Sequence, residues 1–173
     1  MARYKIMIRE VTPGDAEILA AIYSPYVTET VITFELEPPS ADDFRRRIEK
    51  ITADYPYIVM EIDGEIVGYA YASRYRERAA YNWDVESSIY LRTDCRQKGL
   101  GKVLYTELLN RLQARGFYNV YACVTVPNEQ SIAFHRKLGF EDVGIFHKSG
   151  CKFAAWHDIM WLEKRLEQEE DIP

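Results

Sequence analysis

The 173-residue sequence has no apolar run approaching the roughly 18–20 residues that a membrane-spanning helix needs. Its start, MARYKIMIRE, lacks the continuous apolar stretch of a secretory signal. A cytoplasmic protein with no membrane partner is therefore expected. Cysteine is scarce: Cys95, Cys123 and Cys151 are far apart, and there is no CxxC pair. That pattern argues against a disulfide framework and a zinc site. The histidines, His135, His147 and His157, have no HExxH spacing, and no metal is expected. Basic charge is also in short supply, with 22 Lys and Arg against 27 Asp and Glu, so a nucleic-acid partner held by a broad basic face is not expected. Repeats, low-complexity tracts and Gly/Ser linkers are absent, which leaves a single domain over 1–173.

What is present is a packable chain, 47% hydrophobic and 28% charged, and that excludes disorder along its whole length. Alternation over 4–10 predicts a strand. Thr12-Pro13-Gly14-Asp15 opens a helix with Ile18, Leu19 and Ile22 on one side. Ser40 is a good N-cap, and Asp43 puts a carboxylate in the first turn of a helix over 41–53 that carries Phe44, Ile48 and Ile51. Asp63-Gly64 joins strands 57–62 and 65–72 as a two-residue hairpin turn. The arginine-rich segment 73–84 reads as a loop with room for a short helix, and 85–91 as a strand. Leu100, Leu104, Leu108 and Leu112 mark a helix over 99–115 that stops at Gly116. A strand over 120–126, a helix from Asn128 to Leu138-Gly139, and strands near 141–146 and 153–162 follow. The core is expected to span 6–162, with 163–173 a charged, fraying tail. Strand–helix–strand crossovers require at least one parallel pair, so the fold class is an α/β or α+β layered domain.

The most informative segment is Arg96-Gln97-Lys98-Gly99-Leu100-Gly101-Lys102, between a strand and a long helix. Two glycines let the backbone turn tightly and approach an anion. Successive N–H groups and the positive helix end then face a phosphate, with Lys98 and Lys102 adding charge. The loop is neither a Walker A motif nor a complete GxGxxG.

In that context the pattern resembles the acetyl-CoA loop of the GNAT superfamily of N-acetyltransferases, and residues 128–140, NEQSIAFHRKLGF, resemble its second signature. The resemblance runs from residue 6 to about 162 and implies a mixed sheet of about six to seven strands flanked by about four helices. A narrower likeness, to the phosphinothricin and methionine sulfoximine acetyltransferase branch, lies in Thr33-Phe34-Glu35, Tyr55-Pro56, residues 81–91, Leu104-Tyr105 and Trp156-His157-Asp158. Thr93 departs from it, since many relatives place proline there.

The resemblance implies acetyl-CoA as co-substrate, a small amino acid as acceptor and a homodimer. It implies cofactor contacts from Ile89, Tyr90, Leu91, Gln97, Lys98, Gly99, Leu100, Gly101, Lys102, Asn128 and Ser131. Alternation sets Glu86 and Ser88 on the face opposite Val85, Ile89 and Leu91. Glu86 stands where the branch carries its active-site glutamate. Asn128, Ser131 and His135 share a helix face at i, i+3 and i+7. His135 is expected to be a general acid or base, in either direction. By the same resemblance Arg76, Arg78 and Tyr81 bind the acceptor's acidic groups, with Phe34, Glu35, Ser87 and Ser88 lining its pocket. Two rivals stay open: an acetyltransferase for another amine, such as a protein N-terminus, polyamine or aminoglycoside, and a non-catalytic acyl-CoA-binding module.

Overall fold

The computed structural model describes residues 5–96 and 99–168. Strand β1 (Ile6–Glu10) leads through a 3-10 turn at Pro13–Asp15 into α1 (Ala16–Glu29), and α2 (Ala41–Thr52) follows. The hairpin β2 (Tyr57–Ile62) and β3 (Glu65–Arg74) precedes β4 (Asp84–Leu91), α3 (Leu100–Ala114), β5 (Asn119–Val126) and α4 (Glu129–Lys137). A long hairpin, β6 (Glu141–Lys152) and β7 (Ala155–Arg165), ends the fold. All seven strands form one sheet in the order β1-β2-β3-β4-β5-β7-β6, antiparallel except for β4 and β5. No helix among the described residues is long and apolar enough to cross a membrane.

Local chemistry explains the elements. At α2, Ser40 accepts from the Asp43 N–H while the Asp43 carboxylate accepts from the Ser40 N–H, a reciprocal cap. On α1 the buried stripe is Leu19, Ile22, Tyr23, Tyr26 and Val27. Ile18 falls on the flank of that stripe and is 46% exposed, so it does not share the buried side with Leu19 and Ile22. The α3 leucines, all at 9% exposure or less, pack on Val85, Val120, Ala122, Val124 and Leu162 from one sheet face. On the other face α1 and α2 cover a tyrosine-rich core that includes Tyr23, Tyr57 and Tyr69.

Three segments differ from expectation. β3 continues to Arg74, and the rest of the 73–84 segment holds a 3-10 turn at Ala79–Tyr81. The β6–β7 hairpin is longer at both ends, because Phe153 and Ala154 adopt φ of 53° and 55° and close a turn without glycine or asparagine. The expected tail is ordered as far as residue 168: β7 pairs Arg165 with Asn119, Leu166 is buried, and the Leu166 N–H donates to Tyr118 O at 2.7 Å. Residues 169–173 lie outside the described residues.

One feature of the sheet positions the site. β4 and β5 are eight residues each, yet they pair only at Asp84↔Asn119, Val85↔Val120 and Glu86↔Tyr121. Past that point they diverge, and the N-termini of α3 and α4 flank the opening.

Candidate active site

A cleft of about 390 Å³ opens between the start of α3 and α4, with Tyr26, Leu91, Gly99, Gly101, Asn128 and Phe134 among its walls. Gly99 caps α3 with φ +77°, a conformation open to glycine and strained for other residues. A Cβ added at Gly101 would meet Leu91 Cδ1 and Phe134 Cε2, both at 3.5 Å, so the missing side chain leaves the cleft open there. The first-turn N–H groups of α3 have no partner within the helix and suit an anion. Lys102 lines the same cleft. Leu100 turns its side chain into the core, so only its backbone faces a ligand. Gln97 and Lys98 lie outside the described residues. The donors and the missing Cβ atoms fit the diphosphate and amide chain of a coenzyme A thioester.

Asn128 caps α4, its Oδ1 accepting from the Ser131 N–H at 3.1 Å. Asn128, Ser131 and Ile89 line both this cleft and a smaller chamber of about 80 Å³ in the opening between β4 and β5. Ser88, Cys123, Thr125 and His135 also border the chamber. Tyr90 sends its ring to the opposite sheet face, against Tyr23 and Tyr26 at 4.9 and 5.2 Å, leaving its main chain at the opening. The Tyr26 hydroxyl donates to Leu91 O, which commits that carbonyl.

Glu86 sits at the last pair before the strands part. It is half-buried, and burial raises its pKa above the ordinary glutamate value. Cys123 lies on the same face of β5 as Tyr121, the partner of Glu86. Cys123 is exposed, yet desolvation by its surroundings first, and then the Glu86 charge, push its thiol upward, toward the protonated form.

His135 is buried on α4 with Tyr105 and Phe140 packed edge-on at 5.5 and 5.2 Å. Its Nδ1 lies 2.8 Å from Ser131 O. A carbonyl only accepts, so Nδ1 carries the proton and donates. Burial lowers the pKa of His135, outweighing that hydrogen bond, so the ring is neutral at pH 7 with its lone pair on Nε2.

The expected acceptor residues divide into two groups. Arg76 stacks over the rings of Tyr75 and Tyr81, at 5.1 and 5.3 Å, and Tyr75 stacks on Tyr121 at 4.3 Å. These contacts tie Arg76 and Tyr81 to the face that carries Glu86. Arg78 is exposed and offers its carbonyl to the Tyr81 N–H at 2.9 Å. Phe34 lies against Gly150 of the β6–β7 hairpin. Glu35 is paired with Arg47; burial alone would raise its pKa, but the Arg47 hydrogen bonds hold it below the usual value. Ser88 remains beside the chamber.

Ser87 borders the same chamber as Ser88. Its hydroxyl is bonded to Tyr105 Oη at 2.5 Å and to Tyr121 O at 3.2 Å, toward α3 and away from the face that Glu86 shares with Ser88. Strand alternation already implied this, since Ser87 shares parity with Val85 and Ile89. Sequence reasoning assigned no role to Tyr75, Tyr105, Cys123 or Lys152. Parity along 120–126 could have found Cys123, opposite the apolar Ala122 and Val124. No sequence signal marked Lys152, a 2%-exposed lysine whose Nζ donates to Thr33 O at 2.8 Å.

Comparison with known proteins agrees with this geometry. A family model described as an acetyltransferase (GNAT) domain matches residues 8–161. Phosphinothricin N-acetyltransferase of Streptomyces viridochromogenes is 33% identical over 165 residues, covering 95% of this chain and 90% of that protein. The L-methionine sulfoximine/L-methionine sulfone acetyltransferase of Pseudomonas paraeruginosa is 31% identical over 168 residues, covering 96% and 98%. The crystal structure of a GNAT superfamily phosphinothricin acetyltransferase from Sinorhizobium meliloti in complex with AcCoA has a TM-score of 0.89 and 39% identity, covering 93% of this chain and 88% of that one. The chain therefore belongs to the GNAT acetyltransferase family and is an acetyl-CoA-dependent N-acetyltransferase.

Proposed function

We propose that the acceptor is the α-amine of a small amino acid of the phosphinothricin, methionine sulfoximine or oxidised-methionine class. The observation that carries this reading is the place of Glu86. A half-buried carboxylate stands at the last residue pair before β4 and β5 part, and its ladder partner Tyr121 carries the Tyr75–Arg76 stack. Relatives named for these substrates, matched over nearly the whole chain, support the class.

Bound acetyl-CoA supplies the activated acetyl thioester. The α3 amides and Lys102 hold its diphosphate, with Gln97 and Lys98 assigned to the same loop. The main chain of Ile89, Tyr90 and Leu91 pairs with its amide chain as an added strand would, and Asn128 and Ser131 hold it from α4. An ammonium acceptor sheds two protons on becoming an amide, and one of them ends on the released thiol. Glu86 takes the first, its raised pKa making it a better base than a solvated glutamate. Nε2 of the neutral His135 takes the second and passes it to the departing thiolate, while the proton on Glu86 leaves to solvent. Arg76 and Arg78 bind the acceptor's acidic groups as fork donors, and Phe34, Glu35, Tyr81 and Ser88 enclose it. The chain works as a homodimer through the exposed apolar side chains of the last hairpin, among them Val143, Phe146, Phe153 and Trp156.

The test is a panel of amines incubated with acetyl-CoA and read by release of free thiol. Turnover of phosphinothricin, methionine sulfoximine or methionine sulfone, with little on polyamines, aminoglycosides or peptide N-termini, is the expected result. Preference for a cationic amine would move the acceptor class. Tight acetyl-CoA binding with no turnover of any amine would make the chain a non-catalytic module.

A further inference from the structure

The parallel ladder between β4 and β5 ends at Glu86↔Tyr121, and the next residue on β4 is Ser87. Its hydroxyl is 3.2 Å from Tyr121 O. A carbonyl can only accept, so Ser87 donates to it, and a side chain bridges the two strands where backbone pairing stops. With its proton spent there, Ser87 Oγ is the acceptor in the 2.5 Å contact with Tyr105 Oη, and the tyrosine donates. Tyr105 is 0% exposed on α3, and this bond satisfies its hydroxyl inside the core. The same tyrosine ring stands edge-on to His135 at 5.5 Å and to Phe134 and Phe140 at 5.7 and 5.8 Å. One buried side chain thus fixes the strand next to Glu86 with its hydroxyl and forms a wall of the His135 seat with its ring.

We propose that the Tyr105–Ser87 hydroxyl pair is a positioning device that sets how far β4 and β5 part, and so fixes Glu86 at the last pair of their ladder. The device rests on the reading of Glu86 as the base. Neither hydroxyl reacts with substrate; both are spent on each other and on Tyr121 O. A core tyrosine that merely fills space would matter through its ring, and removing its oxygen would change stability alone. A clamp predicts something else. Without the bridge, the junction of β4 and β5 loosens and more water reaches the half-buried carboxylate beside it. Among the described residues, the titratable groups that face Glu86 include Tyr71 from β3 and Tyr121 and Cys123 from β5. Burial is what raises the Glu86 pKa, so wetting the junction lowers it.

The experiment compares Tyr105→Phe, Ser87→Ala and the double variant with the wild-type chain. Each single change should lower kcat about tenfold while the KM for acetyl-CoA stays within about twofold. The double variant should be no worse than the poorer single one, since the two hydroxyls act as one unit. Ser87→Thr, which keeps the hydroxyl, should restore most of the rate. In the free protein, NMR titration of the Glu86 carboxyl should move downward in Tyr105→Phe and Ser87→Ala. Ser87→Ala keeps the tyrosine ring, so it remains informative should Tyr105→Phe fold poorly. Unchanged kcat and an unchanged Glu86 titration, with only the melting temperature lowered, would overturn the clamp, as would fully additive losses. Glu86→Gln separates the two readings. If it keeps wild-type kcat, the base assignment fails; if it is inactive while Tyr105→Phe and Ser87→Ala are normal, only the clamp fails.

Discussion

Gly150→Ala should damage acceptor binding while leaving acetyl-CoA binding intact. Phe34 rests directly on the Gly150 backbone. An added Cβ would stand 2.7 Å from Phe34 Cζ and closer still to Cε2 and Cδ2. Carbon atoms at optimal contact are about 3.5 Å or more apart, so the ring must retreat by about 1 Å or swing to another rotamer. Holding an overpacked ring in place costs roughly 1–3 kcal/mol. Swinging it out gives up its packing near His157, where the ring centroids are 6.1 Å apart. The ring is not free to drift far with its loop, because buried Lys152 anchors Thr33 O at 2.8 Å. A loss near 1.4 kcal/mol in acceptor binding corresponds to about a tenfold rise in KM for the amino acid. The cleft that suits acetyl-CoA has no wall from Phe34, so the KM for acetyl-CoA should hold. Steady-state kinetics with free-thiol detection measures both constants. A double-mutant cycle with Phe34→Leu isolates the clash, since a smaller side chain relieves it and should shrink the Gly150→Ala penalty. The reasoning is refuted by an unchanged acceptor KM, or by an equal penalty in the Phe34→Leu background.

Burial raises the Glu86 pKa, so the acid limb of kcat/KM should lie above the ordinary glutamate value of about 4.3. Glu86→Gln should abolish that limb and cut kcat by about 10²–10⁴; a limb that survives assigns it to another group. His135 has its pKa lowered by burial, so the unfolded chain binds its proton first as pH falls. The stability linked to His135 is complete above about 6.5 and is lost as pH drops through the lowered value, so His135→Gln should flatten the fall in denaturation midpoint on acidification. An equally steep fall in the variant would contradict this. Gly101→Ala places its Cβ at ordinary contact distance, 3.5 Å from Leu91 and Phe134, so the melting temperature should hold while acetyl-CoA affinity drops. Gly101→Val should bind more weakly still, and calorimetry showing wild-type affinity in both would remove this glycine from the cofactor wall.

The sequence made legible what local chemistry dictates. The Ser40 cap, the Asp63-Gly64 turn, the leucine row of α3 and the glycine stop at Gly116 depend on neighbours within a few residues, and each stands where it was expected. The full hairpin β6–β7 was not legible, because its turn places Phe153 and Ala154 at positive φ, which only the paired strands around it can impose. The order beyond residue 162 was hidden for a related reason. LEKRLEQEE looks solvated by composition, yet Leu162 and Leu166 are both buried where β7 runs along β5. In the site, strand parity was enough to place Glu86 and Ser88 on one face, with Ser87 turned toward α3. Residue type alone left the tautomer of His135 undecided, and one carbonyl, Ser131 O, places the proton on Nδ1. Lys152 was invisible because its partner, Thr33 O, lies 119 residues away in sequence.

The break between β4 and β5 connects the fold to the chemistry. Interior sheet strands ordinarily satisfy their N–H and C=O groups on both edges, since a buried backbone group without a partner is costly. Here β4 keeps its full ladder with β3 from Gly68↔Leu91 to Arg74↔Val85, while its ladder with β5 stops after Glu86. The open edge from Ser87 onward is covered in part by side chains: Ser87 bridges to Tyr121 O, and Tyr26 caps Leu91 O. The groups that remain face a cleft wide enough for an extended amide chain, which can complete the missing ladder. The fold therefore keeps an unfilled strand position in the middle of a stable sheet, with rigid neighbours on both sides. A carboxylate at the end of that position is half-buried without any dedicated pocket, because the strands that part to admit the ligand also shield Glu86. The position of Glu86 and an opening that suits an amide chain both follow from where that ladder ends.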